Sequence, residues 1–564
     1  MAGKGRIVVS DAELKKDVDA YMQTGGNRSE AARLRKLPRQ TYNDRLALAT
    51  KQLGVQLGKV VDGRVDYVKA VKRPLPKGKG VARYLLTSAQ NNTYPHKAGL
   101  ANLLAYRDFL AKRPGDSCEL IVGTFTYAID AYGAKATKRG AYRPQGDLWY
   151  APELVPYIVD ESIQLAPALV WCGEQNILPT ATDPLSKLDD YNGRASNIVP
   201  HVKHAMASVG SLADEATKFN YSTGAITLRN YIQKRAGIVA ERKHSYGAVI
   251  VEVDSAGNWY VRQLQIGEQG EIYDIGPRGT GGVRIADGNV SVRAINCPPE
   301  DSFVEAITWG DIHAAEMDVS VRELGWSKGG MLDTLAPRRQ FMHDVFSMRS
   351  RGHHEIKNFH RTYQKMVDGE GSVEGEMRVT AEFLTEADRP WCESIVVRSN
   401  HDRHLDRWLN EANPARDPEN ARYFFRLQAE VLRGFDEGNR DFNVLEWALR
   451  NVDGGLPERV RFLAEDESFV ICKEHDGGIE CGLHGDLGIN GSRGSTRGLR
   501  KLGRRVNKNH DHTAAWQDGV VSGGACSLNF PYMKGPNAHS VSHTVTFENS
   551  ARQIITFWGD KFRA

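Results

Sequence analysis

Asp311 and His313 close a short apolar run, Val304 to His313 (VEAITWGDIH), and such side chains two residues apart at a strand tip can turn toward one cation. The pattern recurs down the chain. Gln340-Phe-Met-His-Asp344 ends in a carboxylate, and Ser394-Ile-Val-Val-Arg-Ser-Asn-His-Asp402 ends in Asn400, His401 and Asp402. Cys481-Gly-Leu-His-Gly-Asp486 then offers His484, and Asn509-His-Asp-His512 offers two imidazoles. Mixed imidazole, carboxylate and amide donors suit manganese, iron or zinc better than an all-oxygen magnesium or calcium site. Two cations held about 3.5–4 Å apart acidify a water and clamp the oxygens of a phosphate ester, and they need one ligand in common.

The order of these clusters resembles the calcineurin-like metallophosphoesterase superfamily, whose motifs run DxH, GDxx, GNH(D/E), a lone His and GHxH. The likeness covers roughly residues 300 to 564 and departs at two places: His343-Asp344 replaces Gly-Asp, and Asn509 replaces the Gly of the last motif. It implies a four-layer α/β/β/α sandwich over 301–564. It also implies that Asp311, His313, Asp344 and His512 hold a first metal, with Asp344 bridging, and that Asn400, His484 and His510 complete a second site. By the same resemblance His401 approaches the leaving-group oxygen as general acid or stabilises the phosphate. Asp402 is expected to orient it. On an extended segment His510 and His512 face the metals while Asp511 faces away. Likeness to the nuclease branch favours two manganese ions, with magnesium, iron and zinc open. His343, His353, His354, His360, His404 and Asp486 are read as structural.

Between the last two clusters runs a Gly-rich basic stretch, Gly491 to Lys508, carrying Arg493, Arg497, Arg500, Lys501, Arg504 and Arg505. Tethered at both ends by proposed ligands, it is suited to gripping a polyanion backbone near the metals. Arg349 and Arg351 are candidates for the same surface.

The amino-terminal 60 residues read as short helices: Asp11 to Met22, a segment through Glu30 to Leu34, and Gln40 to Leu53. The last two, joined by a turn near Leu37-Pro38, resemble a helix-turn-helix, with Arg39, Gln40, Thr41, Asn43 and Arg45 as candidate DNA contacts. A solvated three-helix cap or an oligomerisation hairpin is the competing reading.

The chain has 564 residues, enough for two or three domains. The spacing predicts a basic linker over 61–80, an α/β domain without assigned chemistry over 81–245 and an antiparallel β extension over 246–300; the resemblance implies the catalytic domain over 301–564, giving an α/β fold class with a small amino-terminal helical domain. Strands are predicted at 83–87, 119–123 and 168–172, and a helix at 97–110. Ala248 to Leu264 is a hairpin with Asp254 to Asn258 as its turn. Lys plus Arg (74) barely exceed Asp plus Glu (70), so attraction to nucleic acid must be local. Seven scattered cysteines without CxxC spacing indicate neither a zinc knuckle nor a disulfide framework. No signal-peptide core or membrane-length apolar run occurs, so a cytoplasmic protein is expected, in the host cell if phage-encoded.

The leading expectation is a metal-dependent DNA phosphodiesterase, similar in overall plan to phage pre-early nucleases that degrade host DNA. A nucleotidase or other phosphomonoesterase shares the metal chemistry. A DNA-binding regulator on a phosphoesterase fold is the non-enzymatic alternative. DNA is the expected partner, a membrane is not, and a homo-oligomer stays open.

Overall fold

The computed structural model describes residues 9–24, 28–53, 71–127, 149–212, 215–295, 298–352, 358–528, 530 and 534–564. They fall into two compact units, Met1–Lys69 and Ala70–Ala564.

The smaller unit holds helices Asp11–Gln23, Arg28–Leu34 and Arg39–Leu53. Ser10 caps the first by accepting the Glu13 N–H at 3.4 Å. Leu14, Ala31, Tyr42 and Leu46 pack between the helices. Asp17, fully buried, accepts the Nε–H of Arg35 at 2.7 Å and of Arg45 at 2.6 Å. Glu13 pairs with the same two arginines at 2.7 and 3.3 Å, so two carboxylates tie the first helix to the end of the second and to the third.

Of the expected linker, 61–70 lies outside the described residues. Val71–Lys72 is already a strand, pairing parallel to Ser162–Ala166.

In the larger unit a six-stranded sheet runs in the order Arg461–Phe462, Glu393–Val397, Arg339–His343, Val304–Thr308, Ser542–Phe547, Arg552–Thr556. The first four are mutually parallel, and the last two are an antiparallel hairpin. Strand alternation sends Met342 and Val396 to one face and Phe341, Ile395 and Val397 to the other. Both faces are apolar because both are covered. Helices Val373–Ala387, Asp402–Glu411, Ala421–Asp436 and Val444–Asn451 bring Phe383, Leu405, Leu427 and Leu449 onto the first. Strands Val470–Ile471 and Ile479–Glu480 bring Ile471 and Ile479 onto the second. Phe341→Ala, at the centre of that second interface, would cost about 3–5 kcal/mol.

Those covering strands belong to an eleven-stranded sheet, and here the structure departs from the expected domain plan. Ala515–Gln517 pairs antiparallel with His201–Val209, so one sheet runs from Val71–Lys72 and the strands between Ser162 and Gly224 into those between Val470 and Ser522. Residues 81–245 share backbone hydrogen bonds with the carboxy-terminal half instead of forming a domain apart. The predicted hairpin, Gly247–Val253 with Trp259–Gln265, adds to Ala82–Gln90 and Ser117–Phe125 in a four-stranded sheet. It also touches the six-stranded sheet. Gln263 and Gln265 accept the backbone N–H groups of Ile554 and Arg552 at 3.0 and 2.8 Å. Periodicity could not reveal this, because side-chain amides make the bridge. No helix among the described residues is long and apolar enough to cross a membrane.

Candidate metal centre

The five clusters emerge at the ends of strands that two different sheets aim at one place. Val304–Thr308, Arg339–His343 and Glu393–Val397 are parallel neighbours, so Asp311, Asp344 and Asn400 follow their carboxyl ends side by side, where ligands commonly bind in such sheets. From the eleven-stranded sheet, Ile479–Glu480 and Arg505–Lys508, also parallel, deliver His484, His510 and His512. Gly310 permits the approach: a Cβ there would lie 2.8 Å from the Gly524 backbone.

Two groups of buried side chains result, His313, Asp344 and His512, and Asp311, Asp344 and His484, with ligand atoms in each within 4.8 Å of one another. Asp344 belongs to both. Its Oδ2 lies 3.7 Å from His313 Nε2 and 3.4 Å from His484 Nε2. Asp311 also spans them, with Oδ2 3.4 Å from His512 Nε2 and Oδ1 3.9 Å from His484 Nδ1. Asn400 Oδ1 stands 3.0 Å from both His484 Nε2 and His510 Nδ1. All seven residues expected as ligands are thus brought together.

The donor set fits a cation. Asp311 Oδ1 and both Asp344 carboxylate oxygens are buried and accept no hydrogen bond, a costly arrangement unless a positive partner compensates it. Burial and the Asp344 charge push the Asp311 carboxyl well above the usual range. Burial acts the same way on Asp344, but His484 and His401 outweigh it and hold that carboxyl low. Carboxylates crowded in a dry site split in this manner. Burial lowers His313 well below its ordinary value and His512 to about 3, leaving both neutral, the form that ligates metal. His484, raised to about 9 by Asp344 against burial, would compete with a cation for the same carboxylates.

Backbone strain concentrates here. His313, Asp344, His510 and His512 have φ of 48, 48, 83 and 54°, a left-handed region costing about 1–3 kcal/mol per residue of this kind. The last cluster is therefore a turn and not the extended segment expected. Asp511 still points elsewhere, to Lys508 Nζ at 2.5 Å.

His401 is present, but its orientation departs from expectation. Its Nδ1 donates to the Ser347 carbonyl at 3.0 Å, whereas Asp402 accepts the Ser399 N–H at 2.9 Å and so ties down the loop that carries Asn400. Ser347 also meets His313 Nδ1 through Oγ at 3.1 Å. Nothing in its local sequence marks this serine as the hub of two imidazoles. His539 and Phe530, whose rings lie 4.9 and 4.7 Å from His512, were likewise not anticipated. His343 is buried against His484, their Nδ1 atoms 3.4 Å apart, and Asp486 pairs with Arg403. His353 and His354 lie outside the described residues.

Above the centre is a cavity of about 720 Å³ with Asp344, Asn400, His401, His510 and His512 in its wall beside Arg349, Arg361, Lys365 and Arg493. Arg493 is the member of the basic stretch that lines it. Arg500 instead pairs with Asp518 at 3.0 Å, and Arg505 donates to Ser550 and the His475 carbonyl. Arg497, Lys501 and Arg504 are exposed. The stretch does not act as a single gripping surface. Arg351 is likewise committed, to Asp417 and Glu419. In the helical unit Arg39, Gln40 and Thr41 are exposed and Asn43 is half-buried, while Arg45 is turned inward onto Asp17.

Over 496 residues, 86% of this chain and 83% of the relative, the sequence is 35% identical to protein A1 of Escherichia phage T5. No family model matches the chain, and no solved structure matches it.

Proposed function

Because the chain belongs to the family of protein A1 of Escherichia phage T5, we propose that it is a phage-encoded, metal-dependent DNA phosphodiesterase of the metallophosphoesterase type, acting on host DNA in the host cytoplasm. One observation carries this reading: two ligand groups share Asp344, whose buried oxygens have no other acceptor role, on the wall of a cavity that also presents Arg493, Arg361 and Lys365.

Asp311, His313, Asp344 and His512 would hold one divalent cation, and Asn400, His484 and His510, with Asp344, the other. Manganese is the favoured metal given the donor set. When bound, such a pair supplies Lewis acidity to the attacking water and to the phosphate oxygens. The protein's own groups do the rest. Ser347 fixes the His401 tautomer by accepting from Nδ1, leaving Nε2 to serve the leaving-group oxygen. Arg493 meets the backbone phosphates, and the fixed cations enrich a polyanion at the mouth of the cavity. Helix Arg39–Leu53, through Arg39, Gln40 and Thr41, adds a DNA contact of helix-turn-helix type.

The test is incubation of purified protein with supercoiled and linear duplex DNA, with manganese or EDTA, beside Asp344→Ala. Manganese-dependent cleavage absent from the variant supports the proposal. Hydrolysis of a small phosphomonoester with DNA left intact would replace it by a nucleotidase. Salt-sensitive DNA binding without turnover would replace it by a regulator.

A further inference from the structure

Strand Arg505–Lys508 leads at its carboxyl end into Asn509 and His510 of the metal centre. At its amino end, Arg505 opens onto a second cavity, of about 700 Å³. Its wall includes Lys203, Lys243, Arg505, Arg552, Trp516 and Asp518, and none of the residues grouped above as metal ligands.

Basic and acidic side chains are nearly equal in number in this wall, but they are unevenly paired. Asp518 is nearly buried and is shared by Lys243 at 2.6 Å, Arg500 at 3.0 Å and Lys203 at 3.9 Å. One carboxylate thus faces three cations. Arg505 and Arg552 form no ion pair among the described residues. Arg552 is 2% exposed, and its Nη1 donates only to uncharged acceptors, the Val506 and Gly519 carbonyls and Asn507 Oδ1. Its Nε has no partner, and neither does the Nε of Arg505. The Trp516 ring, 5.0 Å from the Arg552 guanidinium, steadies that cation without neutralising it. Burial, with Arg505 alongside, weakens the hold of Arg552 on its proton, yet the group stays charged at neutral pH.

A buried cation without an anion costs several kcal/mol, so buried charges are found paired or bound to ligands. Acidic groups of the same wall do not fill the need. Glu268 is taken by Arg229 at 2.5 Å, and Glu474 and Asp476 are exposed on the rim. Glu271 keeps one buried oxygen, Oε2, without a donor. The cavity therefore offers guanidinium and ammonium donors for a phosphate, together with an acceptor suited to a hydroxyl or amino group.

We propose that this second cavity is a binding site for a nucleoside monophosphate, its phosphate held by Arg505, Arg552 and Lys243 and its nucleoside donor groups by Glu271, apart from the metal centre.

The experiment is calorimetric titration of the full chain, in EDTA, with 2′-deoxyadenosine 5′-monophosphate and separately with inorganic phosphate, using wild type, Asp344→Ala, Arg552→Gln and Lys243→Gln. We expect one equivalent of nucleotide on wild type and on Asp344→Ala, bound at least tenfold tighter than phosphate. Affinity should fall tenfold or more in Arg552→Gln, and also in Lys243→Gln, whose partly exposed side chain makes misfolding a poor explanation. Absence of nucleotide binding by wild type would overturn the proposal. So would binding lost in Asp344→Ala but intact in Lys243→Gln, which would move the ligand to the metal centre. Equal affinity for phosphate and nucleotide would overturn the nucleoside assignment.

Discussion

His313 and His512 bring their Nε2 atoms to 3.3 Å of one another across 199 residues of sequence, with the Asp344 carboxylate 3.7 Å from the same His313 nitrogen. One proton on the line between the two imidazoles would satisfy that pair but leave the Asp344 carboxylate without a donor, whereas a cation would satisfy all three groups together. Metal analysis should find two divalent ions per chain after manganese loading. Asp344→Ala should lose both, His512→Ala one, and DNA cleavage should fall at least a thousandfold in Asp344→Ala. Metal at one hundred times its dissociation constant should stabilise the fold by about 2.7 kcal/mol, read as a rise in the thermal midpoint that EDTA reverses.

His401 and Asp402 are adjacent yet should fail differently. His401→Ala is expected to lower kcat about 10²–10⁴-fold, the range for one general acid, with metal content unchanged. Asp402→Asn weakens the acceptor of the Ser399 N–H and so loosens the Asn400 loop. It should reduce metal affinity before it reduces kcat at saturating metal. Identical kinetics for the two variants would return Asp402 to the role of orienting His401.

Arg493 and Arg500 separate contact from scaffold. Arg493→Ala should raise KM for DNA about tenfold, the loss of one charge-assisted contact, while turnover of a small chromogenic phosphodiester stays as in wild type. Arg500→Ala removes one of the three partners of Asp518 and should leave KM for DNA unchanged. A rise in KM for Arg500→Ala alone would contradict this division.

Acid should destabilise the larger unit through buried histidines outside the proposed ligand set. Burial lowers His201, His244 and His543 to about 3 and His204 to about 4, from an ordinary 6.5. Their stabilisation is fully present above pH 6.5 and is lost as pH falls toward the folded values, because the unfolded chain then binds more protons. Each contributes up to about 1.4 kcal/mol per pH unit in that window. The thermal midpoint should therefore drop steeply between pH 6.5 and 4.5, and His543→Gln should show a shallower slope.

In the helical unit Asp17 is the point of failure. Asp17→Ala leaves Arg35 and Arg45 with the more exposed Glu13 as their remaining shared carboxylate, a loss of about 1–3 kcal/mol. The variant should lose helical signal and proteolytic resistance in residues 1–69 of the full chain. Replacing Arg39, Gln40 and Thr41 together by Ala should preserve both and weaken DNA binding.

The sequence by itself determined which residues form the candidate centre and much of the local structure. Apolar runs ending in Asp, His or Asn located the strand tips, and every residue expected as a ligand lies at the centre they form. Helix Lys97–Leu110, the three amino-terminal helices and the hairpin after Gly247 were legible because period and turn residues are local signals. Tertiary structure decided what depends on distant partners. That the strands preceding His484 and His510 lie in the same sheet as strand His201–Val209 follows from one antiparallel pairing at Ala515–Gln517, for which no local pattern codes. Ser347 under His401, Asp17 under Arg45 and Asp518 under Arg500 decide which polar groups point outward. Charge counted along the chain cannot do so, because a guanidinium turns toward whichever carboxylate the fold places beside it.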